Sequence, residues 1–578
     1  MNNIYQYIIL IVLLFGIKMS IKAQSIESII SAPVLSMTGG VSVNNISTFT
    51  YNDSLITNPF ALYLTGNLNF SFFNVLNLPL SFAYTNQKFS KDISLPINRF
   101  SLSPSYKWVK LYAGYASMTF SPYSLSGHEF FGGGVELSPN NGLKVSAMFG
   151  RLKKSSSGED NETEPSYRRL GGGFKVEYQH KKVGAGVNIF KAQDIISSAH
   201  FPNPDSIPIL PQDNLTGGVN FNISAIKNIV LIGEYGFSAL NRNIYKGGDK
   251  FRLLNTDGDL SLYHAAKAQI TFTHKIGNIG ATYEYVVPNY TTLGTYYMTN
   301  DFENITANFS TAIKKFNVAA NIGYQRNDLN KQKNSRTARL IYSGNFSGSI
   351  AEKFSFALTF SNLHSYLYIN DVYSQVTQTN PFQNLDTLNV TQLSFNSSLN
   401  ADYSLQNTKD QRQNISMNLT YQRSSENQQY SRFSGNDIIN TMLGYQFSLA
   451  PTQLSVSSSI SYNYNKMPEQ KFTQAITLSL SVQKSFVKVL RSALSFGYSN
   501  MSSQDGHLSD VLNVRLTGGY TLVKKHNFNL ATTILYTKNN AKNEAKKRTQ
   551  YVINLSYSYS FSAEVGRKGK KLTFKGNF

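Results

Sequence analysis

Histidine, cysteine and clustered carboxylates are the side chains with which a chain does acid–base, nucleophilic or metal chemistry. Cysteine is absent here, and the eight histidines are His128, His180, His200, His264, His274, His364, His507 and His526. No two of them stand at metal-ligand spacing, and no nucleophile elbow of the form G-x-S-x-G occurs. Glu159, Asp160, Glu162 and Glu164 form an acidic cluster, but without the D-x-D-x-D-G spacing of a calcium loop they read as a solvated segment. The inventory predicts no catalytic residue, no metal and no cofactor, and hence no enzyme.

The most distinctive stretch is SPYSLSGHEFFGGGVELSP, residues 121–139. Pro122, Tyr123 and Gly127 punctuate it, His128 and Glu129 are adjacent, and Gly132, Gly133 and Gly134 admit a close neighbour. Two readings stand side by side. Either this is a loop folded back on a rim, with glycines making room for bulky neighbours as the next strand starts, or it turns inward to narrow a passage or dock a partner.

The elements that must hold these residues are strands. YVINLSYSYSFS, residues 551–562, keeps every odd position apolar or aromatic while Asn or Ser fills nearly every even one, the period of an extended chain with one oily face. LSFNSSLNADYSLQ (393–406), ISMNLTYQ (415–422), LSVSSSISYNYN (454–465), ITLSLSVQ (476–483) and LYLTGNLNFSF (62–72) repeat it. Such runs exceed the five or six residues usual in soluble sandwiches and match the 9 to 11 tilted residues that cross a bilayer. No later segment approaches the roughly 18 apolar residues of a membrane helix, and only 41% of residues are hydrophobic.

The expected fold is therefore all-β: a large closed antiparallel transmembrane barrel over residues 35–562, of about 26 strands. Short turns are expected at 74–77, 140–142, 181–182, 225–228, 277–278, 314–315, 351–353, 450–452 and 524–526, with longer polar segments between them, such as 153–167, 194–214 and 364–389. By the usual asymmetry of outer-membrane barrels the short turns face the periplasm. Lysines and arginines outnumber acids 54 to 33, a formal charge of +21, and many sit at those turns, among them Lys181, Lys182, Lys314 and Lys315. Nucleic acid is not the expected partner of this charge; it solubilises the turns or meets anionic head groups or an acidic partner.

Residues 1–23 read as a signal peptide for export, with an apolar run from Tyr7 to Ile17 and a cut before Gln24. A short periplasmic lead (24–34) and a basic periplasmic tail (563–578) flank the barrel, with no plug domain. The last strand, with Tyr557, Tyr559 and Phe561, is at once wall and an assembly signal for barrel-inserting machinery.

Residues 58–90 (NPFALYLTGNLNFSFFNVLNLPLSFAYTNQKFS) and 102–152 (LSPSYKWVKLYAGYASMTFSPYSLSGHEFFGGGVELSPNNGLKVSAMFGRL) resemble a family of Bacteroidota outer-membrane β-barrel proteins, mostly uncharacterised. The resemblance implies the outer membrane of a Gram-negative cell, with lipid and lipopolysaccharide around the wall, and brings no catalytic residues. Members of that phylum build large secretion and assembly machines with accessory barrels. A ring of 26 strands is about 50 Å across, too wide to stand open. The reading is an accessory or scaffold barrel of a secretion or outer-membrane assembly machine, its lumen closed by a partner or by infolded loops, with other outer-membrane or periplasmic proteins as partners. The alternative is a loop-narrowed, porin-like diffusion channel for small polar solutes.

Overall fold

Alternating side chains on long antiparallel runs can satisfy every backbone group only if the last strand finds the first, and it does. The computed structural model describes residues 33–51, 59–87, 98–157, 165–198, 209–224, 226–245, 253–331, 338–350, 352–362, 393–426, 434–466, 471–487, 489–523, 525–541 and 544–566. The expected leader, most of the lead and tail, the acidic cluster from Glu159 and the long segment beyond residue 362 lie outside the described residues.

The first strands are β1 (Leu35–Tyr51), β2 (Phe60–Phe72), β3 (Leu76–Thr85), β4 (Arg99–Leu102), β5 (Ser105–Tyr106), β6 (Val109–Thr119), β7 (Ser126–Leu137) and β8 (Leu143–Lys153). Next come β9 (Arg168–His180), β10 (Val183–Ile195), β11 (Asp213–Ile223), β12 (Ile229–Asn241), β13 (Leu260–His274), β14 (Gly277–Val286), β15 (Phe302–Ile313) and β16 (Phe316–Arg326). The remainder are β17 (Ala338–Ile350), β18 (Phe354–Ser361), β19 (Leu393–Asn407), β20 (Gln411–Glu426), β21 (Ser434–Leu449) and β22 (Leu454–Lys466). The wall ends with β23 (Thr473–Val487), β24 (Leu490–Ser503), β25 (Gly506–Leu522), β26 (His526–Ala541) and β27 (Glu544–Val565).

Each strand pairs antiparallel with its chain neighbours, and β1 pairs with β27 from Leu35 opposite Val565 to Tyr51 opposite Thr549. The β4 and β5 segments both lie between β3 and β6 and are two pieces of one wall strand. The fold is thus a closed 26-strand antiparallel barrel of the outer-membrane type. Its first strand begins at the expected residue, and its last runs three residues past the expected end. Leu35 and Val565 lie at the same end of the barrel.

Short turns cluster at that end. Lys181–Lys182, Lys275–Ile276 and Lys314–Lys315 are two-residue links, and Lys181 and Lys314 take positive φ of 48° and 53°, as the tightest hairpin turns require. Gly277 and Asn278, expected in a turn, open β14 instead. Further short turns at this end fall at residues 107–108 and 408–410. At the opposite end the connections are mostly long, but β24 passes to β25 through residues 504–505 alone.

Candidate functional site in the lumen

The wall has two unlike faces. On the last strand Tyr551 and Leu555 stand 42% and 51% exposed, while Asn529 Nδ2 donates to Ser556 Oγ on the other face at 3.3 Å. Tyr557, Tyr559 and Phe561 sit on the apolar face with His526, whose ring lies 4.6 Å from that of Tyr559. The apolar face points outward, because the segments that cross several strands pack against the polar one, and a short segment can touch distant strands of a ring only along its concave side.

Two such segments turn inward. The first, residues 120–125, joins β6 to β7 and is closed by Phe120 N–H donating to Leu125 O at 2.8 Å. Pro122 and the Ser121 hydroxyl, which accepts from Tyr123 N–H at 3.1 Å, shape the reversal. Tyr123, Ser124 and Leu125 are buried. Ser121 Oγ donates to Glu234 of β12, Tyr123 Oη donates to Glu284 Oε1 of β14 at 2.9 Å, and Ser124 Oγ donates to Asn188 Oδ1 of β10 at 2.7 Å. One hairpin tip is thereby fixed to three wall strands.

The second segment, residues 287–301, joins β14 to β15 and lies on the first. Tyr290 Oη donates to Tyr123 O at 2.7 Å and Thr292 Oγ1 to Ser124 O at 2.7 Å, while Leu293 N–H reaches Asn214 Oδ1 of β11 at 3.0 Å. Tyr296 stacks on His128 with centroids 4.1 Å apart and accepts from Glu129 N–H at 3.2 Å. Burial pushes the Tyr296 hydroxyl up to about 12 and raises Tyr290 further, so both remain protonated in neutral water. Between segments and wall, Met118, Phe120, Leu125, Phe130, Phe190, Leu240 and Leu293 form one buried cluster. Tyr123, Ala265, Val286 and Tyr290 form another.

Within 121–139 only residues 121–125 turn inward, across β10, β12 and β14. From Ser126 onward the stretch is β7, so His128, Glu129 and Gly132 to Gly134 belong to the wall. Gly127, at φ 65°, bends the chain from the turn into the strand. A Cβ on Gly134 would stand 2.9 Å from Met118 Sδ, whereas one on Gly133 would find nothing closer than 3.6 Å. The sharpest requirement in the stretch is at Gly132, where a Cβ would clash with the Phe149 carbonyl oxygen, and on β12 a Cβ on Gly236 would come within 2.6 Å of Tyr123 Cβ.

Below the two segments the lumen face is charged. Lys110 faces Glu136 across β6 and β7, Lys144 faces Glu177 across β8 and β9, and Glu234, Lys267 and Glu284 face one another across β12 to β14. Several pair: Lys175 Nζ is 2.8 Å from Glu177, and Tyr112 Oη donates to Glu136 at 2.9 Å. The rest of the ring is different. From β17 to β21, Asn345, Thr359, Ser398, Thr420 and Asn440 follow one another in register, with Thr359 and Ser398 hydroxyls 2.6 Å apart. Ser459 with Ser479 and Ser481 with Ser495 continue the hydroxyl rows at 2.6 and 2.9 Å. A recess of about 800 Å³ lies on this arc. Among the described residues no buried hydrophobic cluster forms there, and no group of three metal-ligating side chains exists.

From sequence, Tyr123 stood out, but its partners Tyr290 and Glu284, and Glu234, which Ser121 engages, did not. A signal was available: Tyr-Ser-Leu-Ser-Gly at 123–127 and Tyr-Thr-Thr-Leu-Gly at 290–294 share tyrosine, hydroxyls, leucine and glycine, each just after a proline.

No family model and no curated protein matches the chain. Among solved structures it is similar to the translocation pore of the P pilus usher PapC, at 12% identity and a TM-score of 0.39 over 91% of this chain and 99% of that one. It is similar to the ferric citrate transporter FecA at 9% identity, with a TM-score of 0.39 over 92% and 79%. The Pseudomonas aeruginosa protein OccK9 matches at 9% identity and a TM-score of 0.28 over 91% and 98%.

Proposed function

We propose that this protein is an exported outer-membrane conduit that serves as an accessory or scaffold barrel of a secretion or outer-membrane assembly machine, with its termini and short turns in the periplasm. The carrying observation is the uneven lumen. In a ring about 50 Å across, the described inward segments cover the arc from β6 to β15, and the facing arc presents mostly hydroxyls and amides, with isolated charges such as Asp402 and Arg515 among them. Such a surface hydrates easily and exerts little fixed charge, which suits a large polar occupant that must seat or slide without sticking. The occupant in the cell is another outer-membrane or periplasmic protein of the complex.

The outward apolar and aromatic face fits lipid and lipopolysaccharide, and Tyr557, Tyr559 and Phe561 on β27 serve as the segment recognised during insertion. No catalytic role is assigned, since Glu234 and Glu284 are engaged by Ser121 and Tyr123.

A second reading has its own observation: the two inward segments are a preformed ledge of the kind that narrows a diffusion channel. Planar-bilayer recording of the purified protein, with and without material that co-purifies in mild detergent, separates the two. A wide conductance silenced by the co-purified protein supports the scaffold. A small, stable conductance indifferent to it overturns that reading in favour of the channel.

A further inference from the structure

The wall is not equally strong all the way round. All 17 residues of β1 are paired with β27, yet the wall strand made of β4 and β5 offers only four and two residues to its neighbour β3. Towards β6 only Ser101, Leu102, Ser105 and Tyr106 are in register. Two prolines thin this seam further. Ser103 N–H donates to Pro79 O at 3.0 Å, but the reciprocal bond cannot form because Pro79 has no N–H. Leu111 N–H donates to Pro104 O at 2.8 Å, and the reciprocal bond is missing for the same reason. Each side of one short strand thus loses a donor at nearly the same height. Above it Gly114, at φ 88°, is the last residue of β6 in register with this strand. Proline is normally kept out of strands paired on both sides.

The two faces of the seam differ in kind. Tyr84, Phe100 and Tyr106 stand about half exposed on the outer face, while Ser81, Ser101 and Ser105 line the inner one. Beside it the inward hairpin of residues 120–125 springs directly from β6. At the top the strand is held by Arg99 paired with Glu129 and by Thr85 N–H donating to Asn98 Oδ1 at 2.7 Å.

We propose that the strand formed by β4 and β5 is a lateral opening between lumen and bilayer, suited to an amphiphile whose polar part stays in the lumen while its acyl chain enters the membrane. This does not depend on the scaffold reading, because a diffusion channel could carry the same seam.

The test uses the full chain in nanodiscs. Because the protein has no cysteine, Ser101→Cys on the inner face of the seam and Ser556→Cys on the inner face of β27 can each carry a bimane label. Lipids with nitroxide-bearing acyl chains are the probe. Acyl chains entering the seam should quench the label at position 101 several-fold more than that at 556, and adding Pro79→Thr with Pro104→Val should remove the difference. Amide exchange of residues 76–85 and 99–106 should be about tenfold faster than that of 551–562 in the wild type and slow in the double variant. Equal quenching at the two sites, or equal exchange in the three segments, overturns the proposal.

Discussion

The arc from β6 to β15 and the arc from β16 through β27 to β3 share one outward pattern and differ entirely inside. In the first, inward wall glycines make room beside bulky groups, Gly134 for Met118 and Gly236 for Tyr123 of the first segment, and Phe190 packs with Leu293 of the second. In the second arc the inward positions are mostly Ser, Thr and Asn, with isolated charges such as Asp402 and Arg515. Uniform small polar side chains leave nothing for a connecting segment to pack on, whereas gaps beside large rings make pockets that a tyrosine can fill. Whether a long connection enters the lumen is therefore decided by the wall it would lie on.

Five substitutions sharpen or break that contrast. Phe190→Ala empties the centre of the packed arc and should destabilise the inward segments by about 3–5 kcal/mol, read as faster amide exchange in residues 120–125 and 287–301 and as higher conductance. Exchange unchanged in both segments would mean that the wall does not hold them. Leu555→Arg, on the outer face of the neutral arc, should cost roughly 2–4 kcal/mol at mid-membrane while Ser556→Arg costs little. Insertion yields of the two variants give the comparison, and equal defects would invert the faces. Tyr123→Phe removes the hydrogen bond to the half-buried Glu284, which keeps Lys267 nearby, and should cost about 0.5–1.5 kcal/mol, visible as a lower unfolding midpoint in detergent. Ser398→Ala, in the hydroxyl rows, should stay within about 0.5 kcal/mol; a larger loss would show that the neutral arc is also built around a fixed network.

The wall was legible in the sequence because period-two alternation is a local signal, and the strand count, the closure and the outward positions of Tyr551 and Leu555 follow from it. Turn positions shifted by a residue or two, as at Gly277, because a two-residue hairpin can slide along a polar stretch without changing composition. Tyr123 and Gly127 stood out by type. Their partners did not, since Tyr290 is 167 residues from Tyr123 in the chain and Glu234 and Glu284 become neighbours only when the sheet curls. The extended reading of His128 and Gly132 to Gly134 as loop failed for a related reason: three glycines weaken the strand signal, yet paired wall strands on both sides hold them extended.

The closing seam sets the order in which this molecule can be made. Every other pairing joins neighbours along the chain and can form as each hairpin emerges, but Leu35 meets Val565 only after the last strand is present. Until then the chain is an open sheet with two bare margins, each able to recruit a strand from another molecule. Association across such a separation is slow, and its rate is set by how long those margins are kept from other partners. A cell that uses this barrel must therefore hold some 500 residues of incomplete wall in custody until the final strand arrives.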